Sequence, residues 1–489
     1  MSSSPGKLSS HLKSLPAPEG LLLACIVLGT SLVIFHCLPL IATPYQIDYG
    51  EGLMLDGALR IRHAEPLYPS AFKFPVVLHV YGPAAYATVA AILPSGAASF
   101  PAGRWLILGC SVGLALLIGT ILRRLTGSSF IGLCFGLLLL TLPTFRFWLI
   151  FLRADVIGVL FSMIGIVIYV SNQKRYLWTI PFFGVALFCK YSLLAAPIAL
   201  FLHLIVSGKG KKAFVFALGL GGVATLAFVV LQIRTGGWFA FHMFSTHPDR
   251  YSARQFLTLA ALVAGSAPVV TFLALWNVRR EFREEKVSFP SIFLVVSFAT
   301  ALTAGKLGST TNHFVEFMVA CCLCAGMGYS VLAATSVKSA RRITLLLGVS
   351  VLLGIFLQNR PSQQPLRDLV ECGDAYKYVN QSSSSRILSE SLGPLLVAGK
   401  PVLVSDPFVY GQLLKHGLWP DQQVEDLVNS RYFGLIVMST EPSQVVTRGS
   451  DVWPDSLANV IEKNYKISRR FDCRDVRIVL EPNSSNQVR

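Results

Sequence analysis

A series of long apolar stretches between residues 20 and 357 constrains this chain more than any other feature of its sequence. Each stretch has roughly 15–22 residues, the length that an α-helix needs to cross the hydrocarbon core of a bilayer. The chain of 489 residues is 53% hydrophobic and only 14% charged, which excludes a single soluble domain. We therefore expect a polytopic α-helical membrane protein with about eleven spans. The candidate spans are residues 20–42, 104–122, 129–150, 154–170, 176–189, 191–206, 213–231, 256–276, 288–304, 314–334 and 343–357.

The distribution of basic residues predicts the topology. Another apolar stretch, 81–94, is short and contains Pro83 and Pro94, so we expect it to be re-entrant or interfacial. Every basic loop then falls on one side of the membrane, which the positive-inside rule makes cytoplasmic. The net charge of +16 thus indicates contact with membrane lipid, and nucleic acid is not an expected partner. We expect a multi-pass protein of the plasma (inner) membrane, with its N-terminus in the cytoplasm and its C-terminus outside.

The composition changes at both ends of the apolar region. Residues 1–19 are rich in Ser and Pro and are expected to be disordered. Residues 358–489 alternate short apolar runs with helical stretches, which predicts a small extracytoplasmic α/β domain. The expected strands lie within 386–390, 401–405, 433–439 and 476–480, and the expected helices within 407–416 and 454–464.

Cysteine usage agrees with this division. Most of the ten cysteines lie in apolar stretches, where a thiol is normally a small buried hydrophobe. Their spacing does not resemble a zinc site, so we expect neither a metal nor another cofactor. Cys372 and Cys473 lie in the polar C-terminal part and are predicted to form a disulfide if that part faces an oxidising compartment.

The first outer loop, residues 43–80, contains acidic residues directly after a span. Asp48 and Glu51 have the spacing of a capping box, with Asp48 as the N-cap of a helix. Acidic groups beside a bilayer are also costly unless they are used, and either carboxylate could serve as a general base. Both interpretations stay open, because a capping position also fixes the geometry of the acid.

Further polar residues collect on the same predicted outer face. Asp155 with Arg153, and likewise Lys190, could be ordinary residues of the membrane boundary. Alternatively, Asp155 is catalytic and the cations contact a phosphate. Charged groups within or beside spans are usually functional, so we predict a site on this face. Its expected substrate-binding residues are Arg153, Lys190, Arg250, Arg254, His313 and Glu316, and its expected catalytic residues are Asp48, Glu51 and Asp155.

The order of these features resembles the GT-C membrane glycosyltransferases, in particular the branch that resembles protein mannosyltransferases and lipopolysaccharide sugar transferases. The resemblance extends over nearly the whole chain, although each motif is short. It rests on the acidic first loop with Asp48 and Glu51, Glu65-Pro66-Leu67-Tyr68, Tyr81-Gly82-Pro83, Leu142-Pro143, Arg153-x-Asp155, the segment Gly184 to Ser192, Asn312-His313-Phe314 with Glu316, and the C-terminal Ala398-Gly399-Lys400 and Asp406-Pro407-Phe408.

The resemblance implies an enzyme that takes a sugar from a polyprenyl-phosphate carrier and transfers it to a lipid, glycan or protein acceptor on the outer face. It implies that Asp48 or Glu51 activates the acceptor, that Asp155 is a second acid, and that Lys190 with Arg250 or Arg254 contacts the phosphate. Many members carry adjacent Asp and Glu in this loop, whereas Tyr49-Gly50 separates them here, which leaves the choice of base open. A polysaccharide polymerase or ligase, an assembly factor and a secondary transporter remain the alternatives.

Overall fold

The computed structural model describes residues 17–94, 97–246, 251–358, 364–419, 422–448, 450, 452–473 and 476–483. Its helices are α1 (Ala17–Ala42), α2 (Tyr49–Arg62), α3 (Pro83–Ala90), α4 (Phe100–Thr126), α5 (Ser129–Thr141), α6 (Ala154–Ser171), α7 (Ile180–Cys189), α8 (Ala195–Val206), α9 (Gly210–Arg234), α10 (Ala253–Ser266), α11 (Pro268–Arg283), α12 (Phe289–Thr300), α13 (Val315–Thr335), α14 (Val337–Gln358), α15 (Gln364–Gln381), α16 (Gly393–Val397), α17 (Pro407–Lys415), α18 (Gln423–Asn429), α19 (Pro442–Arg448) and α20 (Asp455–Asn464). Short turns connect several of them, at Pro143–Arg146, Gln173–Thr179, Trp238–Ala240, Phe241–Ser245, Ala301–Gly305 and Thr311–Phe314.

The described helices confirm a multi-pass membrane protein. By length and composition six of them can cross a membrane, namely α1, α4, α6, α9, α14 and the helix formed by Thr311–Phe314 with α13. Helices α10 and α11 meet at a bend of 100° and would add a seventh span if they cross together. Each predicted apolar span coincides with a helix or with a pair of helices separated by a break. Several of these helices are too short to cross a bilayer on their own, so helix length alone does not support eleven crossings.

The stretch 81–94 forms α3, a helix of 8 residues that is about 12 Å long. Such a helix cannot cross a hydrocarbon core of about 30 Å, which agrees with a re-entrant or interfacial segment. Helix α1 begins at Ala17, so the predicted disordered tail overlaps a helix at residues 17–19; residues 1–16 lie outside the described part. The long helices pack into one continuous apolar cluster.

The topology can be tested with two engineered cysteines. In the variants Gly210→Cys and Ser450→Cys we expect a membrane-impermeant thiol reagent to label only position 450 in intact cells, because the basic segment 209–212 is predicted to be cytoplasmic. Position 210 should react after permeabilisation, and the parent protein gives the background from its native cysteines. Labelling of position 210 but not of position 450 in intact cells would contradict this topology.

The C-terminal unit contains a sheet of four strands in the order β1-β2-β4-β3. Strands β1 and β2 are parallel, whereas β4 is antiparallel to both of its neighbours. Three of the predicted strands and both predicted helices of this unit are present, and the sequence patterns missed the strand at 465–470. The strands are β1 (Ile387–Ser389), β2 (Leu435–Met438), β3 (Tyr465–Arg470) and β4 (Ile478–Pro482).

The predicted strand at 401–405 is wrong as a member of this sheet. It pairs instead with the first outer loop through an isolated parallel bridge between Val76 and Val404. The amide of Val76 donates to Leu403 at 2.9 Å, and the amide of Ser405 donates to Val76 at 2.9 Å. Residues 401–405 therefore join the C-terminal unit to the first outer loop. Their apolar pattern predicts a strand but does not show with which segment that strand pairs. The predicted disulfide between Cys372 and Cys473 is present.

Candidate active site

Asp48 is the N-cap of α2, and the capping box with Glu51 is formed. Asp48 Oδ2 accepts from the amide of Gly50 at 2.9 Å and from Arg153 Nε at 2.7 Å. Arg153 Nη1 also donates to the hydroxyl of Tyr81 at 3.2 Å. The side chains of Asp48 and Arg153 retain 21% and 16% of their exposure, so a ligand can reach this ion pair.

Glu51 is in a different environment, because its side chain is completely buried. Arg104 of α4 donates to both of its carboxylate oxygens, at 2.8 and 2.7 Å, and also to backbone carbonyls at the end of α1 and in the following turn. The amides of Ile47 and Asp48 donate to Oε2 of Glu51. Such a fully paired buried carboxylate suits a structural role better than proton transfer.

Asp155 lies at the N-terminus of α6 and is only 2% exposed. Lys190, directly after α7, donates to its Oδ1 at 2.6 Å. The Nδ2 amide of Asn312 lies 3.2 Å from both carboxylate oxygens. The structure thus brings together three residues from distant parts of the chain in one buried, charge-assisted cluster.

Two further predicted residues lie beside this cluster. His313 is near enough to interact electrostatically with Lys190 and Asp155, and its Nδ1 hydrogen-bonds the hydroxyl of Thr303 at 2.9 Å. Glu316 is 5% exposed and lies at the backbone amides of Ala195 and Ala196, which begin α8. Its Oε1 has no hydrogen-bond partner among the described residues. The Glu316 carboxylate therefore lies at the N-terminus of a neighbouring helix, and its Oε1 is unpaired in the described part of the chain.

The remaining predicted cations are not gathered into the cluster. Arg254, in the first turn of α10, is exposed, and its side chain forms no ion pair with a described residue. Arg250 lies outside the described residues.

His242 of the same loop is buried and structural. Its Nε2 must donate to the carbonyl of Pro69 at 2.9 Å, so its Nδ1 accepts from the amide of His79 at 3.2 Å. Burial lowers the pKa of His242 to about 4, and the ring is therefore neutral at pH 7.

The C-terminal unit reaches the first outer loop next to Asp48. The hydroxyl of Tyr49 donates to Asp406 Oδ1 at 2.8 Å and accepts from the amide of Phe408 at 3.1 Å. Asp406 is the N-cap of α17, and burial raises the pKa of its carboxyl to about 6. The Asp406-Pro407-Phe408 motif therefore fixes Tyr49, the residue that directly follows Asp48.

Sequence reasoning missed two side chains of this arrangement. Arg104 was included in a candidate span, although an arginine at the end of an apolar stretch is itself a sign of function or of a buried partner. The sequence around Tyr49 did not indicate its contact with Asp406, because an aromatic residue beside a helix cap is common. Among the described residues no three His, Cys, Asp or Glu side chains are placed to hold a metal ion together.

Comparison with known proteins shows the fold but no sequence relative. No family model matches the chain, and no curated protein matches it. The crystal structure of ArnT from Cupriavidus metallidurans in the apo state has a TM-score of 0.61 and 12% identity, covering 93% of this chain and 97% of that one. The same protein bound to undecaprenyl phosphate has a TM-score of 0.61 and 13% identity, with 94% and 98% covered.

An oligosaccharyltransferase from Archaeoglobus fulgidus is also similar. Its structure with a tethered acceptor peptide has a TM-score of 0.54 and 12% identity, covering 91% of this chain and 72% of that one. Identities this low establish a shared fold alone. The matches extend over nearly the whole chain, so the helical region and the C-terminal unit are both included.

Proposed function

The chain has the GT-C fold, and on this premise we propose that it is a membrane glycosyltransferase that uses a polyprenyl-phosphate-linked sugar. The observation that carries the proposal is the pair of carboxylate–cation contacts, Asp48 with Arg153 and Asp155 with Lys190, in a protein of this fold. Undecaprenyl phosphate, bound in the ArnT structure, represents the class of carrier that we assign to this chain. The acceptor is a lipid, glycan or protein on the outer membrane face.

Asp48 is the general base in this proposal. Its carboxylate is partly exposed and is fixed by the cap and by Arg153, so an acceptor hydroxyl can approach it. Glu51 cannot be reached without breaking its contacts with Arg104, and we assign it to holding the loop. Asp155 orients Lys190 and is the second acid of the site.

Arg153 and Lys190 are the proposed phosphate contacts. A phosphate leaving group develops negative charge during transfer, and nearby cations stabilise it. Each of these two cations is held by a carboxylate in the protein, so the donor phosphate competes with Asp48 for Arg153 and with Asp155 for Lys190. Binding of the donor therefore weakens the hold of Arg153 on Asp48 and frees the base for the acceptor. His313 and Glu316 border this site, and Arg250 and Arg254 remain candidate contacts with the substrate.

Binding of undecaprenyl phosphate to purified protein tests the phosphate assignment. We expect Lys190→Ala to weaken it by about tenfold to a hundredfold, because a hydrogen bond to a charged group contributes roughly 1.5–3 kcal/mol. Native mass spectrometry or a thermal-shift titration in detergent measures this, and Lys377→Ala, at an exposed position of α15, is the control.

The single variant leaves Asp155 buried without its cation, so a double variant is also needed. Lys190→Met with Asp155→Asn removes both charges, and it should fold and still bind poorly. Normal binding of undecaprenyl phosphate by the folded double variant would contradict the role of Lys190. Absence of binding by the unaltered protein would contradict the proposed donor class.

A further inference from the structure

A cavity of about 950 Å³ lies away from the two ion pairs of the candidate active site. It is open to the surface and is lined by residues of the second half of α2, of the segment 63–77 of the first outer loop, by Ala97 and Ala98, and by residues of the segment 396–402 of the C-terminal unit. This volume is at the upper end of the range for small-molecule sites, roughly 300–1,000 Å³. None of the described active-site residues lines it, so its ligand is not the phosphate discussed above.

The charged groups that line the cavity are largely satisfied within the protein. Arg60 lies 3.5 Å from Asp56 and 3.2 Å from Glu65, and it balances both carboxylates. Lys400 Nζ donates to the carbonyls of Ser382 and Ser384 at 2.7 and 2.8 Å. A polyanion would meet two carboxylates here, two cations that are already engaged, and only one further cation, Lys73, which is exposed. The cavity therefore favours an uncharged ligand with many hydroxyl groups, which fixed acceptors and donors can bind.

Asp56 is the strongest sign of a ligand. The residue is 5% exposed, lines the cavity and uses only Oδ2 in its contacts with Arg60 and His79. Its Oδ1 accepts no hydrogen bond from a described residue. His79, behind it, is buried, and neither of its ring nitrogens has a hydrogen-bond partner in the described part. Buried polar groups are rarely left in this state. His79 does not line the cavity, so it is Asp56 for which an additional partner in the cavity is expected.

The position of the cavity relates it to the proposed reaction. Asp56 follows Asp48 by eight residues on α2, a rise of about 12 Å along the helix. Ala97 and Ala98 directly precede α4, a membrane span, so the cavity adjoins the membrane boundary. A ligand that lies here borders the bilayer and is separated from the base by about two turns of α2.

We propose that this cavity binds a neutral saccharide portion of a membrane-anchored acceptor, a role that rests on the proposed glycosyltransferase function. Asp56, Arg60 and Glu65 supply hydrogen bonds to sugar hydroxyls, and Leu59, Phe74 and Val402 supply apolar contacts for the faces of the rings. The hydroxyl that receives the new sugar extends from this site along α2 toward Asp48.

Saturation-transfer NMR on the detergent-solubilised full chain tests the site without any need for turnover. The probes are three neutral trisaccharides, maltotriose, mannotriose and chitotriose in its acetylated form, with trigalacturonic acid as the anionic probe. We expect at least one neutral probe to bind and the anionic probe to bind more weakly. Asp56→Asn should weaken that binding about tenfold, because it removes an ionised acceptor while keeping the shape of the side chain.

A second variant tests the site even if Asp56→Asn does not fold. Ala97→Trp fills the cavity from an exposed position, and it should abolish binding, whereas the matched control Ala91→Trp, at an exposed residue outside the cavity, should not. Absence of binding by every neutral probe, a preference for the anionic probe, or unchanged binding in folded Ala97→Trp would each overturn the proposal. Undecaprenyl phosphate binding, measured on the same samples, shows separately whether the proposed donor class fails.

Discussion

Replacing Asp48 by asparagine is expected to lower the single-turnover rate of sugar transfer by about 10²–10⁴-fold, the usual contribution of a general base. Asparagine keeps the shape of the side chain and can still cap α2, but it cannot take a proton from the acceptor. The measurement follows the consumption of polyprenyl-phosphate-linked hexoses and pentoses, supplied as a panel, by purified protein. Asp155→Asn is measured in parallel as the second acid.

Asp48→Asn should not weaken binding of the donor. Asp48 competes with the phosphate for Arg153, and Asp48→Asn should therefore bind undecaprenyl phosphate at least as tightly as the unaltered protein. Combining it with Arg153→Gln should remove any gain in affinity. If Asp48→Asn, Glu51→Gln and Asp155→Asn all transfer sugar at a normal rate, these acids are only caps and boundary residues, and the proposed mechanism is wrong.

Replacing Glu51 by glutamine is expected to destabilise the protein by about 3–5 kcal/mol, because it leaves the buried guanidinium of Arg104 without its charge partner. Thermal unfolding in detergent, followed by intrinsic fluorescence, measures the loss. Asp48→Asn is the matched control, since Asp48 is partly exposed and belongs to the same capping box. The loss in a double variant, Glu51→Gln with Arg104→Gln, should be smaller than the sum of the two single losses.

This result separates the two acids of the first outer loop. If Glu51→Gln unfolds at the normal temperature but transfers sugar slowly, Glu51 is the base and our assignment to Asp48 is wrong. If Glu51→Gln is unstable but transfers sugar at a near-normal rate while folded, Glu51 has the structural role that its burial indicates.

Some features of the fold could be predicted because they depend on short-range patterns. Long apolar stretches became helices, since a chain in a bilayer must satisfy its backbone hydrogen bonds locally. The capping box of Asp48 and Glu51 was also predictable, because it involves residues only three positions apart. The disulfide between Cys372 and Cys473 was predictable because these two cysteines lie apart from the apolar stretches.

Other features depend on contacts between distant residues, and only the tertiary structure decided them. The residues at 401–405 have the pattern of a strand, yet their partner is Val76 of the first outer loop and not the sheet. Short-range pattern does not specify a partner that is more than three hundred residues away. The number of membrane crossings could not be predicted for a similar reason. Whether short or bent helices such as α10 and α11 cross the bilayer depends on the helices that pack against them.

The sequence by itself determined which stretches form apolar helices and which acids and cations are candidates for the site, but not the exact bounds of the helices. Only the tertiary structure distinguished the environments of those acids: Glu51 is paired with Arg104, and Asp48 with Arg153. Asp48 and Glu51 look equivalent in the sequence, because their local spacing suits both a cap and a base. Their chemistry differs because burial and the nearest opposite charge are set by helices that arrive from elsewhere in the chain.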